Sequence, residues 1–229
     1  MTRPAAPPNS TLRLLLYALL WIFARVVFGL WFRLRIVGRP SPFPRGPLVL
    51  ASNHVSYLDP VALGLALRRP VTYLVTSDVY DLMAYRPWMW VFGCIRVEEN
   101  SINVEAMRRA LDVLRSGGVV GIFPEGGISD DGRLKAGQLG VASLLLQGGA
   151  PVLTAAIVGT FDALPRNGGF PKPARIEIRY SRLIEPSAVA FHRTPREARR
   201  ELRDQVMAGI AAALPERMSA QPSVATPSA

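Results

Sequence analysis

Apolar positions along the chain fall into two regimes. Leu14 to Ala24 carries no charge, Arg25 interrupts, and Val26 to Phe32 resumes the apolar run. Beyond Arg39 the pattern breaks into short blocks. PLVLAS (47–52), VTYLVT (71–76), VVGIF (119–123) and PVLTAAIV (151–158) are apolar stretches of strand length, and ARIEIRY (174–180) alternates as a strand covered on one face does. VALGLAL from Val61 reads as a helix. Asn103 can cap VEAMRRALDVLRS, where Val104, Met107, Leu111 and Leu114 share one face and Gly117-Gly118 gives the stop. AGQLGVASLLLQ (136–147) is helical up to Gly148-Gly149. Thr194-Pro195 with Glu197 makes a capping box, and Leu202, Val206, Ile210 and Leu214 then form an amphipathic stripe. Residues 1–10 and 219–229 have no core pattern and are expected to be disordered. Strands alternating with helices argue for one α/β domain over 37–218, preceded by a helix over 11–36.

The N-terminal helix has to place its apolar surface somewhere. A membrane span needs about 20 apolar residues. Leu14 to Phe32 approaches that length only with Arg25 inside the bilayer, at about 2.5–3.5 kcal/mol. A helix lying in the interface avoids this: Arg13, Arg25, Arg33 and Arg35 reach headgroups while Trp21, Phe28, Trp31 and Phe32 bury. The expectation is a monotopic, membrane-associated helix at the cytoplasmic face, and the plain alternative is a core helix of the domain. No small-residue cleavage site comes after it.

Charge sharpens that picture. Net charge is +10 although charged residues make up only 19% of the chain, and lysine occurs only at 135 and 172. A cationic surface is drawn to anionic lipid, to an acidic carrier protein or to nucleic acid. No basic stripe interleaved with aromatics accompanies it, so nucleic acid is not an expected partner. With Cys94 as the single cysteine, an intrachain disulfide and a cysteine-based zinc site are excluded, and a reducing, cytosol-facing location fits.

Two stretches hold candidate chemistry. In ASNHVSYLDP (51–60), one of two histidines precedes a carboxylate by five residues. The stretch admits two readings: His54 and Asp59 as a proton-transfer pair, or Asp59 as N-cap with Pro60 at the first helical position. On one continuous helix the two side chains would lie roughly 140° apart. They meet only if a strand ends near Asn53 and the chain turns before the helix starts. In VVGIFPEGGIS (119–129) a strand runs into Pro-Glu-Gly-Gly, a turn whose N–H groups can hold an oxyanion. Glu125 there serves equally well as a structural acceptor for backbone donors.

Asn53-His54, four residues, Asp59, succeeded by Phe123-Pro124-Glu125-Gly126 and by LKAGQLGVASLLLQGGAPVLTAAI, resembles the glycerolipid acyltransferases of the lysophosphatidic-acid acyltransferase type over about residues 12–185. The resemblance implies an acyltransferase domain with a mostly parallel central sheet flanked by helices. It also implies transfer of a fatty acyl group from acyl-CoA or acyl-acyl-carrier protein, as co-substrate, to the hydroxyl of a lysolipid acceptor, 1-acyl-glycerol-3-phosphate or a related lysolipid, with no metal required. His54 and Asp59 would be catalytic, with Asn53, Glu125, Gly126, Gly127 and Ser129 around the substrate. Three cations of the family pattern are absent, since Thr76, Glu99 and Ile128 occupy those positions; Arg96, Arg133 and Lys135 are the candidate substitutes. An acceptor without a terminal phosphate is the resulting expectation. The competing class is a catalytically idle lipid-binding protein on the same fold; a lipid hydrolase has no Gly-x-Ser-x-Gly elbow to support it.

Overall fold

The computed structural model describes residues 11–67, 69–81, 86–98, 104–191 and 194–219. Chain order is α1 (Thr11–Leu30), β1 (Arg35–Val37), β2 (Leu48–Ser52), α2 (Asp59–Ala66), β3 (Val71–Thr76), α3 (Ser77–Tyr80), α4 (Arg86–Phe92), β4 (Ile95–Val97), α5 (Val104–Arg115) and β5 (Val119–Ile122). It continues with α6 (Leu139–Gly148), β6 (Val152–Val158), α7 (Thr160–Ala163), β7 (Glu177–Ile184), α8 (Pro186–Ala190), α9 (Pro195–Ala213) and α10 (Glu216–Ser219). The strands form one sheet in the order β1-β7-β6-β2-β5-β3-β4, parallel except where β7 runs against β6. The expected mostly parallel α/β sheet is present.

Alternate residues of the central strand feed two cores. Leu48 and Leu50 of β2 face α1 and α2, packing with Leu63, Leu67, Leu153 and Ile157. Val49 and Ala51 face α5, α6 and α9, packing with Leu111, Leu144, Leu202 and Ile210. A strand buried on both sides reads as an unbroken apolar run, which is why β2, β5 and β6 are visible in the pattern. The capping box at Thr194 and Glu197 is formed as expected, and Gly149 closes α6 with φ 58°. The Asn103 cap, residues 1–10 and the tail from 220 lie outside the described residues; Ser219, expected in that tail, closes α10.

The N-terminal boundary differs from the expectation. The helix ends at Leu30, and residues 35–36, assigned to its tail, instead form β1 together with Val37, paired in parallel register with Glu177–Arg179 of β7. Phe28 and Phe32 were expected to bury in lipid, yet at 4% and 3% exposure they are part of the protein core. Trp21, Ala24 and Val27 pack on the same core. The opposite face is bare: Leu15, Leu19, Ile22, Phe23, Val26 and Leu30 are all more than half exposed. These positions recur at helical spacing on one stripe, and the exposed Arg25 projects from its flank with its guanidinium over the Trp21 ring. Among the described residues, no helix is long and apolar enough to cross a membrane.

Candidate active site

The site is set by register. β2 and β5 are parallel neighbours with Ala51 opposite Ile122, so the segments leaving their C-terminal ends, 53–59 and 123–129, run side by side. Open α/β sheets place ligands at this end of the strands. Residues about 70 positions apart in sequence thereby meet.

His54 and Asp59 are brought together. The His54 Nδ1 lies 2.9 Å from Asp59 Oδ2, and the same oxygen accepts from the N–H groups of Val55 (2.6 Å) and Ser56 (2.7 Å). A carboxylate can only accept, so Nδ1 carries the proton and Nε2 is left as the acceptor. Nε2 has no partner among the described residues. The Asp59 side chain is fully buried and that of His54 keeps 15% of its surface, so only the outer edge of the imidazole is open. Asp59 does not cap α2: it is the first helical residue, the N-cap is Leu58, and no side chain caps the helix. Its carboxylate turns back into the 54–56 turn, which overturns the capping reading.

Behind the imidazole lies a stack that the sequence pattern does not reveal. The His54 ring lies 4.0 Å from the Phe123 ring at 16°, and Phe123 continues onto Tyr73 at 5.9 Å and 7°. Tyr73 donates from its hydroxyl to the Pro60 carbonyl at 2.8 Å, fixing the start of α2. Gly121 makes room for this, since a Cβ there would come within 2.3 Å of the Tyr73 ring. A glycine inside a buried strand was the available signal for such a close approach.

Glu125 is a frame, not a wall of the site. At 3% exposure, its Oε1 accepts from the His54 N–H at 2.7 Å and its Oε2 from the Lys135 N–H at 2.8 Å. Burial pushes its carboxyl up to about 7, against the pull of those two donors. The turn beyond it is held by the Gly126 N–H on the Phe123 carbonyl and the Ser129 N–H on the His54 carbonyl. The N–H groups of Gly127 and Ile128 have no partner among the described residues. Gly126 has φ 75°, and a Cβ there would meet the Gln138 amide at 2.0 Å.

Four expected substrate contacts, Asn53, Ser129, Arg96 and Arg133, are placed elsewhere. Asn53 is fully buried, giving its amide to the Ile157 carbonyl (3.0 Å) and accepting from the Ile157 N–H (2.7 Å), so it ties β2 to β6. Ser129 is also fully buried, with its hydroxyl donated to Asp131 at 2.9 Å. Arg96 sits on β4, three strands or roughly 14 Å from β2. Its guanidinium is spent on Asp81 (2.7 Å) and on Glu98. Arg133 is exposed on the 130–135 loop, where its N–H donates to Asp131. Lys135 is the candidate cation that reaches the turn, with Nζ 3.3 Å from both the Gly127 and Ile128 carbonyls. Ile128 is 9% exposed, and Glu99 lies outside the described residues. No cluster able to hold a metal ion occurs among the described residues.

The chain matches the family model described as Acyltransferase over residues 35–158, more than half its length. It is 29% identical over 122 residues to a chloroplastic 1-acyl-sn-glycerol-3-phosphate acyltransferase of Brassica napus, covering 52% of this chain and 35% of that protein. A probable 1-acyl-sn-glycerol-3-phosphate acyltransferase of Mycoplasma genitalium is 27% identical over 160 residues, covering 62% of this chain and 58% of the relative. The matches thus span about a third to three fifths of these relatives' lengths. The crystal structure of the 1-acyl-sn-glycerophosphate acyltransferase PlsC from Thermotoga maritima shares the fold, with a TM-score of 0.69 at 19% identity over 87% of this chain and 80% of that one. With a family match that begins at β1, runs through both turns and ends with β6, the chain belongs to the acyltransferase family.

Proposed function

We propose that the protein transfers a fatty acyl group from an acyl thioester, acyl-CoA or acyl-acyl-carrier protein, to the hydroxyl of a lysolipid at a membrane surface. The observation that carries this reading is the imidazole held by a buried carboxylate through Nδ1, with Nε2 open at the end of a central strand. Nε2 takes the proton of the acceptor hydroxyl as its oxygen bonds to the thioester carbon. The carbonyl oxygen becomes negative and is met by the unpartnered N–H groups of Gly127 and Ile128. As the C–S bond breaks, the proton passes from Nε2 to the departing thiolate. The Asp59 carboxylate stabilises the imidazolium between these steps.

An apolar crevice supports the acyl part of the reading. It is lined by Leu20, Trp21 and Ala24 of α1, Leu65 of α2, Tyr73 and Phe92, and Tyr73 also belongs to the stack behind His54. The bare stripe of α1 supports a helix lying in the interface. Lysolipid and acyl chain then reach the site from the same surface. Incubating the purified protein with labelled acyl donor and a panel of lysolipids, with the products read by lipid mass spectrometry, tests the reading. Diacyl product is expected; donor hydrolysis alone, or no turnover with any acceptor, overturns it in favour of the idle lipid-binding class.

A further inference from the structure

The turn that carries the chain out of α1 breaks a local rule. Arg33 has φ 46°, and the Leu34 N–H reaches back to the Phe28 carbonyl at 2.9 Å to close the helix. Glycine is the usual residue at such a left-handed helix end, because a Cβ there crowds the backbone. The Arg33 side chain is exposed and has no hydrogen bond or ion pair among the described residues, so no contact within the fold offsets the strain.

The strands beyond this turn hold more positive charge than they neutralise. Arg179 takes Glu177 Oε2 through Nε at 3.0 Å and Nη2 at 2.8 Å. Arg175 and Arg35 share the other oxygen loosely, at 3.4 Å and 4.0 Å, with 58% and 59% of their side chains exposed. One carboxylate thus faces three guanidiniums, with Arg33 adjoining. The cluster lies at the His54 end of the sheet, because β7 pairs Glu177 with Val158 and Ile178 with the same Ile157 that Asn53 holds. Immediately before it, Leu30 ends the bare stripe of α1 and Trp31 follows in the turn, 79% and 48% exposed.

We propose that Arg33, Arg35 and Arg175 form a site for the phosphate of an anionic phospholipid in the membrane, with Leu30 and Trp31 entering the apolar layer beside it. Guanidinium forks suit phosphate oxygens. Continuity with exposed apolar side chains selects a lipid over a soluble anion. The site turns the C-terminal ends of the strands, and with them His54, toward the lipid. This inference rests on the proposal that α1 lies in a membrane surface.

The test is co-sedimentation of the full chain with vesicles of phosphatidylcholine alone and of phosphatidylcholine mixed with phosphatidylglycerol. Wild type is expected to bind both, and the mixed vesicles more tightly. Arg33→Gly should keep the melting temperature or raise it, keep the phosphatidylcholine binding, and lower the gain on mixed vesicles about fivefold, the equivalent of about 1 kcal/mol. Combined with Arg35→Gln and Arg175→Gln it should remove most of the gain. A charge-matched control, Arg108→Gln with Arg109→Gln and Arg115→Gln on α5, should retain it. Equal wild-type binding to both vesicles, a gain that survives the first triple variant, or an equal loss in the control overturns the site while leaving α1 on the membrane. Failure to bind either vesicle overturns the membrane reading and the site with it.

Discussion

The turns beyond β2 and β5 leave neighbouring strands at the same height, and each contains one buried carboxylate. Asp59 acts within its own turn: one oxygen collects the imidazole N–H and two backbone N–H groups from residues 54–56. Glu125 acts across turns, holding the backbone of His54 with one oxygen and that of Lys135 with the other. One carboxylate orients a ring and the other fixes the backbone from which the ring projects. Paired acids in one motif set can therefore divide the work, and the donors each receives decide its role. Removing each in turn separates the two roles.

The largest effect should come from the ring itself. His54→Ala is expected to lower turnover at least a thousandfold, within the range for loss of a general base. The melting temperature should stay within a few degrees, because Asp59 keeps both of its backbone donors. Single-turnover assays with labelled donor check the rate, and thermal denaturation checks the fold. Wild-type turnover in this variant would remove His54 from the mechanism.

Asp59→Asn should come next. An asparagine oxygen can take the place of Oδ2 and still accept the three N–H groups, but it brings no negative charge to stabilise the imidazolium. Its amide nitrogen falls where Oδ1 lies, a buried position with no partner. Turnover is expected to drop about a hundredfold, and stability by about 1–3 kcal/mol for the unsatisfied group. A loss of stability without a loss of turnover would make Asp59 a purely structural acceptor, like its counterpart.

Glu125→Gln should be milder in rate and clearer in pH dependence. Glutamine accepts one of the two N–H bonds and sets its own N–H against the other, so roughly a thirtyfold loss is expected from one compromised charge-assisted bond. The pH signature has a definite sign. The folded carboxyl is raised to about 7 from an ordinary value of 4.5. The folded state therefore holds the proton more tightly than the unfolded chain. The stability from this group is full below the unfolded pKa and is lost as pH rises through about 7. Denaturation midpoints measured from pH 4.5 to 7 should decline in wild type and flatten in Glu125→Gln. An unchanged slope in the variant would assign the titration to another group.

How much of this was legible depended on whether the signal was local. β2, β5 and β6 announce themselves by apolar runs, and α9 by the Thr194 and Glu197 capping box, all within a few residues. β1 does not: residues 35–37 become a strand by pairing with β7, far along the chain, and 35–36 read as the tail of a helix. The strand expected at 174–180, covered on one face, lies at 177–184 for the same reason, since its register is set by β6. At the site, the motif spacing identified the residues that come together but not their direction. Asp59 after a turn and before Pro60 leaves a helix cap and a partner of His54 both open, and the fold decides between them by turning the carboxylate back to the imidazole. Asn53 and Ser129, polar beside the motif, read as substrate contacts, whereas burial commits them to Ile157 and Asp131.

The smallest expected effect concerns the acceptor, where the two turns also differ: the first offers one open nitrogen, the second one loosely held cation. Lys135 Nζ rests at 3.3 Å on two carbonyls, Arg96 is neutralised by Asp81 and Glu98, and Ile128 is buried. A bidentate arginine contact to phosphate would supply about 1.5–3 kcal/mol of acceptor binding. A single lysine that must leave its carbonyls supplies less. Lysophosphatidic acid is therefore expected to be used about tenfold less efficiently than a lysolipid lacking the terminal phosphate monoester, the equivalent of about 1.4 kcal/mol. Lys135→Gln should lower kcat/KM for lysophosphatidic acid a few-fold and leave the other acceptor unchanged, because the charge matters only to the phosphate. Competition between the two acceptors in one reaction, read by mass spectrometry, measures the ratio directly. A preference for lysophosphatidic acid that persists in Lys135→Gln would mean that the phosphate is held by groups outside both turns.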